Sequence, residues 1–95
     1  MARSSIARIR EKIQQRKYDM SAHAMEEMAE DHLDIMDIEH VILHGDIARM
    51  EKDDMRGTKY VIEGIALDRQ TPVGIVGRFT ASERYVIITV YAITN

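Results

Sequence analysis

Apolar residues recur at helical spacing through the first half of the chain and at strand spacing through the second, and the change falls at Gly45. Ile6, Ile9 and Ile13 mark a helix over residues 4–17, a stretch without glycine or proline. Tyr18-Asp19-Met20 reads as a connector. Ser21 is a good N-cap, which predicts a second helix over residues 21–31 with Met25 and Met28 as its buried stripe and Ala22 and Ala29 allowing close approach. Asp34 followed by Asp37 has the pattern of a capping box and opens a third helix, with Ile35, Ile38, Val41 and Ile42 on its apolar face. Gly45 stands where a left-handed C-cap would end it.

Beyond Gly45 the chain reads as strands. Residues 47–52 are weakly patterned and suit an edge, and residues 53–57 are polar and turn-prone. Residues 60–67, 72–80 and 84–93 are richer in β-branched and aromatic side chains, with short polar links between them. No helix-length segment separates these runs, so antiparallel hairpins are expected rather than parallel crossovers. The predicted architecture is α+β: about three helices, then an antiparallel sheet of about four strands with the helices packed on one face.

Pairing Phe79 with Arg84 across the 80–83 link places Val73, Ile75, Phe79, Val86, Ile88 and Val90 on the helix-packed face. The other face then carries Val76, Arg78, Tyr85, Ile87, Thr89 and Tyr91, joined by Lys59 and Glu63 from the preceding strand. A register slip of one residue would exchange the two lists.

Length and composition narrow the class. The 95 residues make one small domain, and 45% apolar with 31% charged residues is ordinary for a globular chain. There is no cysteine, which excludes disulfides, thiolate metal sites and a cysteine nucleophile and suits a reducing cytoplasm. The longest nearly apolar run, residues 86–93, falls far short of the roughly 20 residues that span a bilayer, and no signal-peptide pattern opens the chain. A cytoplasmic protein without membrane contact is expected. The seven methionines read as flexible core filler.

Charge is unevenly placed. The net value is −3, yet Arg3, Arg8, Arg10, Lys12, Arg16 and Lys17 crowd the start against Glu11 alone, and residues 18–54 are strongly acidic. The overall sign argues against nonspecific coating of nucleic acid and leaves room for a local basic site.

His23 falls in the first turn of the second predicted helix, where the positive end of the dipole and unpaired N–H groups favour a bound phosphate and disfavour imidazolium. Arg78, Tyr85, Thr89 and Tyr91, with Lys59 nearby, form a surface suited to a single RNA strand: arginine forks phosphate, tyrosine stacks on bases, and hydroxyls bond the 2′-OH. For cleavage, His23 would be the base or acid, Arg78 the charge stabiliser, and Tyr91 or Tyr85 a proton donor or base stacker. His40 and His44 share one side of the third helix with Asp37, but Val41 stands where a zinc protease has its glutamate, and no metal or other cofactor is expected. No phosphate-binding glycine loop and no Gly-x-Ser-x-Gly elbow is present.

Ser21-x-His23-Ala24 with Met28, the Asp37–Gly45 helix and cap, Pro72-Val73-Gly74-Ile75-Val76 and the closing Val86–Tyr91 run together resemble a small bacterial domain-of-unknown-function family. That family resembles RelE-like toxins within the barnase- and colicin-like ribonucleases, and its genes often neighbour YgiT-type zinc-finger antitoxins. The resemblance spans about residues 18–92. It implies helices followed by a four-stranded antiparallel sheet, endoribonuclease activity on RNA, ribosome-bound RNA included, and an antitoxin protein partner. It carries over to His23, Thr89 and Tyr91. Glu27 and Asp31 depart from it, standing where arginines are expected. The alternatives are a noncatalytic protein-binding module, docking through the basic first helix or the acidic second and third, and an inactive relative of the toxin fold.

Overall fold

A computed structural model describes residues 4–53 and 55–94. The elements run α1 (Ser5–Gln14), β1 (Tyr18–Met20), α2 (Ala22–Glu30), α3 (Ile35–His44), β2 (Asp46–Asp53), β3 (Gly57–Ile65), β4 (Pro72–Phe79) and β5 (Tyr85–Ala92). Arg3 lies outside the described residues. No helix among them is long and apolar enough to cross a membrane.

The helix starts follow the sequence signals. Ser4 caps α1 through Ala7 N at 3.3 Å, Ser21 caps α2, and Asp34 with Asp37 forms the reciprocal box on α3, at 3.0 and 3.1 Å. The end of α3 departs from expectation. Gly45 has φ −85° and ψ −168°, extended rather than left-handed, while Arg16 and His32 take left-handed φ of 58° and 57° after α1 and α2. What Gly45 supplies is the absence of a side chain: a Cβ there would lie 2.6 Å from Val41 O and closer still to Glu63 O. Arg10 completes the cap, its Nη2 donating to Gly45 O at 2.6 Å and its Nε to Ile42 O at 3.2 Å, so carbonyls at the helix end have partners.

The sheet has five strands, ordered β1-β5-β4-β3-β2, rather than the predicted four. Three of its pairings are antiparallel, but Tyr18–Met20, read as a connector, is a strand that pairs parallel with β5. The weakly patterned β2 does lie at an edge. Ile9 and Ile13 of α1, Ala24 of α2 and Ile38, Val41 and Ile42 of α3 meet Tyr60, Ile62, Val73, Ile75, Tyr85, Ile87 and Val90 in one core. The helices therefore cover one face of the sheet.

The strand faces correct the predicted register. Phe79 pairs with Tyr85, not Arg84, and the ladder shifts between Val76 and Gly77 to leave Ile88 as the extra residue of a bulge. The slip originates in the link: Thr80 N bonds Arg84 O at 2.8 Å, and Glu83 takes φ 61°, the left-handed residue of a three-residue hairpin loop. Tyr85 and Ile87 consequently enter the core, and Val86 and Ile88 leave it. On α2 the buried residue is Ala24, with Ala22 and Ala29 exposed, and Met25 is 50% exposed although Met28 packs inward. Ile35, Met36, Met50 and Met55 are also exposed, so the methionines are only partly core filler.

Gly45→Ala should destabilise the fold by about 1–3 kcal/mol, because backbone rather than a flexible side chain must move. Urea unfolding followed by circular dichroism measures this directly.

Candidate nucleic-acid interface

The outer edge of β5 organises the site. β1 pairs with its first half through Met20 opposite Ile87, and the ladder continues through Ser21, whose N–H reaches Ile87 O at 2.9 Å. The Ser21 hydroxyl accepts from Ala24 N at 3.0 Å and donates to Ile88 O at 2.8 Å, tying the start of α2 to the bulge. Where β1 stops, α2 takes over. Glu27 Oε1 accepts from Val90 N at 3.1 Å and Asp31 Oδ2 from Ala92 N at 3.0 Å. The two acids that depart from the resemblance are thus acceptors for edge N–H groups that would otherwise lack a partner within the fold.

His23 sits one turn before Glu27, its Nε2 3.3 Å from the same Oε1 that holds Val90. Its side chain is 67% exposed. The imidazole therefore stands in solvent beside the Val90 level of β5, oriented by a carboxylate that the strand itself fixes.

The helix-free face can be read as rows from the registers. One row runs Asp46, Glu63, Gly74, Tyr91 across β2, β3, β4 and β5, and the next runs Arg49, Val61, Val76, Thr89. The third sets Glu51 beside Lys59 and Arg78 beside Val86, with Lys59 and Arg78 neighbours one step beyond the Tyr60–Gly77 pair. Val61 is fully buried here, a floor to the face rather than part of the helix-side core. Among the described residues Lys59, Glu63, Arg78 and Tyr91 form no ion pair or side-chain hydrogen bond.

The predicted site is only partly assembled. Lys59, Arg78, Thr89 and Tyr91 share the helix-free face, and His23 lies on α2 beside Glu27, which holds the outer edge of β5 at Val90. Arg78 is four residues along β4 from Gly74, the partner of Tyr91, which is about 13 Å at strand rise. His23, Arg78 and Tyr91 therefore do not converge on one atom.

Tyr85 is not on this surface at all. It is 0% exposed, its ring edge-on to Phe79 with centroids 5.3 Å apart, because the one-residue slip turned it inward. Nor are the glycine gaps open to a ligand. A Cβ at Gly77 would meet Tyr85 Cζ and Oη at 2.6 Å, and one at Gly74 would meet Tyr91 Oη at 2.5 Å and Cε2 at 2.6 Å. Each glycine of β4 is filled by a tyrosine of β5, on opposite faces of the sheet.

Several other cations are engaged. Arg8 lies 4.3 Å over the Phe79 ring, Arg10 caps α3, and Arg84 forks Asp19 at 2.8 and 3.1 Å. His40 and His44 meet with ring centroids 4.5 Å apart and planes tilted by 43°, but Asp37 is committed to Asp34 N and Leu67 N. No group of three or more metal-ligating side chains gathers among the described residues.

A single mixed sheet with helices on one face and a polar, aromatic surface on the other defines an α+β domain. Residues 20–92 match the domain-of-unknown-function family DUF4258, and the chain belongs to it. Comparison with curated proteins and with solved structures gave no match.

Glu27 and Asp31 are the residues whose placement sequence reasoning missed, and Glu63 is one to which it gave no role. The signal for the first two was their i, i+4 relation to His23 and to each other; Glu63 already stood on the predicted face.

The Tyr85 hydroxyl is buried without a hydrogen-bond partner, and burial, then the nearby Tyr60, pushes its pKa well above the ordinary 10.0. Burial and its hydrogen bond to Glu39 push Tyr18 the same way. A raised phenol contributes stability that is present below pH 10 and is lost as pH rises beyond it, since the folded chain then holds protons that the unfolded chain releases. Tyr85→Phe should raise stability at pH 7 by about 1 kcal/mol by removing the orphan hydroxyl. It should also flatten the alkaline loss between pH 10 and 12, read from urea midpoints against pH.

Proposed function

We propose that this chain is a RelE-like endoribonuclease, the toxin of a toxin–antitoxin pair, which draws single-stranded RNA across its helix-free sheet face. One observation carries the reading: Lys59, Arg78 and Tyr91 stand without internal partners on one face, and an exposed, carboxylate-oriented histidine borders it.

In this reading His23 takes the proton of a 2′-OH, the 2′-oxygen bonds to the adjacent phosphorus, and the bond to the 5′-oxygen breaks, that oxygen taking a proton from water. The products are a 2′,3′-cyclic phosphate and a 5′-hydroxyl. Tyr91 serves as a base stacker, since its ring lies over Gly74 and away from the α2 edge. Thr89 offers its hydroxyl to a sugar or phosphate. Lys59 and Arg78, a strand's length from that level, hold a neighbouring phosphate rather than the one being cleaved. The antitoxin, a YgiT-type zinc-finger protein in this reading, restrains the activity.

A second reading, a noncatalytic module that docks a protein, has its own observation. Met25 and Met36 are 50% and 64% exposed on the acidic α2 and α3. The version that uses α1 has less support, because Arg8, Arg10 and Arg16 make contacts inside the fold.

Purified chain incubated with single-stranded RNA should give cyclic-phosphate ends, and His23→Ala should slow this by about 10²- to 10⁴-fold. Lys59→Ala with Arg78→Ala should weaken RNA binding and lower its salt slope by about two. RNA left intact by the wild-type chain, and bacterial growth unaffected by its induced expression, would overturn the nuclease reading in favour of docking.

A further inference from the structure

Three features of the Glu63–Gly74–Tyr91 row have no use within the fold. The Glu63 carboxylate has no partner among the described residues, although it is only partly exposed. Asp46 stands directly opposite it in β2, and like charges paired across strands cost stability. The Tyr91 ring lies across the Cα of Gly74, so that one ring face is set on the sheet and the other is turned outward. An alternative with any side chain at Gly74 would tip that ring off the sheet.

We infer that this row is a base-selective pocket that takes guanine from a single RNA strand, the ring stacked on Tyr91 and its Watson–Crick edge turned to Glu63. This rests on the reading of the helix-free face as an RNA surface. The selection follows from donor geometry. Guanine presents N1–H and N2–H side by side, two donors that match the two oxygens of an ionised carboxylate. Adenine presents an acceptor at N1, cytosine an acceptor beside its amino group, and uracil one N–H between two carbonyls, so each sets a lone pair against the carboxylate. Glu63 and Asp46 stand at the end that would meet a base edge, Arg49 lies in the next row, and Lys59 and Arg78, with Glu51 opposite Lys59, lie about 13 Å away along the strands, where the phosphates of the same strand would pass.

The test is anisotropy of fluorescein-labelled UUGUU, UUAUU, UUCUU and UUUUU RNA with the full chain at low salt. UUGUU should bind tighter than the other three by about 5- to 150-fold, the discrimination of one good bidentate contact. Glu63→Gln keeps the shape and places an amide donor against guanine, so it should abolish that preference, with UUGUU then binding like the other three pentamers. Tyr91→Phe, which keeps the ring over Gly74, should retain the preference. Equal binding of all four pentamers by a chain whose affinity still falls with Lys59→Ala and Arg78→Ala would overturn the guanine pocket alone, as would a preference that survives Glu63→Gln. No binding of any pentamer would overturn the RNA surface and the pocket with it.

Discussion

The hydrogen-bonding edge of β5 is the constraint on which the rest of the structure depends. Placed second in the sheet, β5 presents its inner edge to β4 along its full length, but its outer edge meets only the three residues of β1. A buried or half-buried strand edge with open N–H groups is costly and invites misassembly. The chain answers by running straight from β1 through Ser21 into α2 and laying that helix along the remaining edge, with Glu27 and Asp31 accepting from Val90 and Ala92. His23 occupies its position as a consequence. It is fixed one turn from Glu27, at the border of the helix-free face, by the same contacts that close the sheet.

The bulge at Ile88 is the second determinant. Without it, Tyr85, Ile87, Thr89 and Tyr91 would all project to one face, as the sequence pattern suggests. With it, Tyr85 and Ile87 point to the helices while Tyr91 points away, and β4 accommodates both rings by having glycine at positions 77 and 74. A strand glycine ordinarily weakens a sheet. Here each one admits an aromatic ring flat against the backbone, one ring sealing the core beside Phe79 and the other forming the outward platform. Ser21 bonds the bulge carbonyl and the start of α2 together, so the bulge that precedes Tyr91 and the helix that carries His23 share one hydroxyl.

Local signals were legible in the sequence, and nonlocal ones were not. Ser4, Ser21 and the Asp34–Asp37 box announced the helix starts because capping is a contact over three residues. Three consecutive strand runs with short links announced the antiparallel meander. β1 was invisible, since Tyr18-Asp19-Met20 carries no periodicity and forms a strand only because β5, 67 residues later at both paired ends, offers it an edge. The register failed for a related reason: Glu83 is left-handed without being glycine, and a bulge leaves no mark on alternation until the partner strand is known. The site fared accordingly. Lys59, Arg78, Thr89 and Tyr91 were placed on one face correctly, Tyr85 was lost to the slip, and Glu27 looked like a repulsive charge until its strand partner was visible.

α1 shows that the boundary of a family and the boundary of a folding unit need not coincide. The matched region begins at Met20, inside β1 and after α1 has ended. Yet Ile9 and Ile13 are buried against α3 and the sheet, Arg10 supplies the polar cap of α3, and Arg8 covers Phe79. The basic character of α1 thus reflects two electrostatic tasks inside the molecule, neutralising the negative end of a helix dipole and covering an aromatic face, more than attraction to an outside polyanion. In the proposed reading that division leaves RNA recognition to the sheet. Among the described residues, the cations without an ion pair on the helix-free face, Arg49, Lys59 and Arg78, are drawn from β2, β3 and β4, with Glu51 opposite Lys59, and in that reading a phosphate backbone crossing those strands supplies their complement.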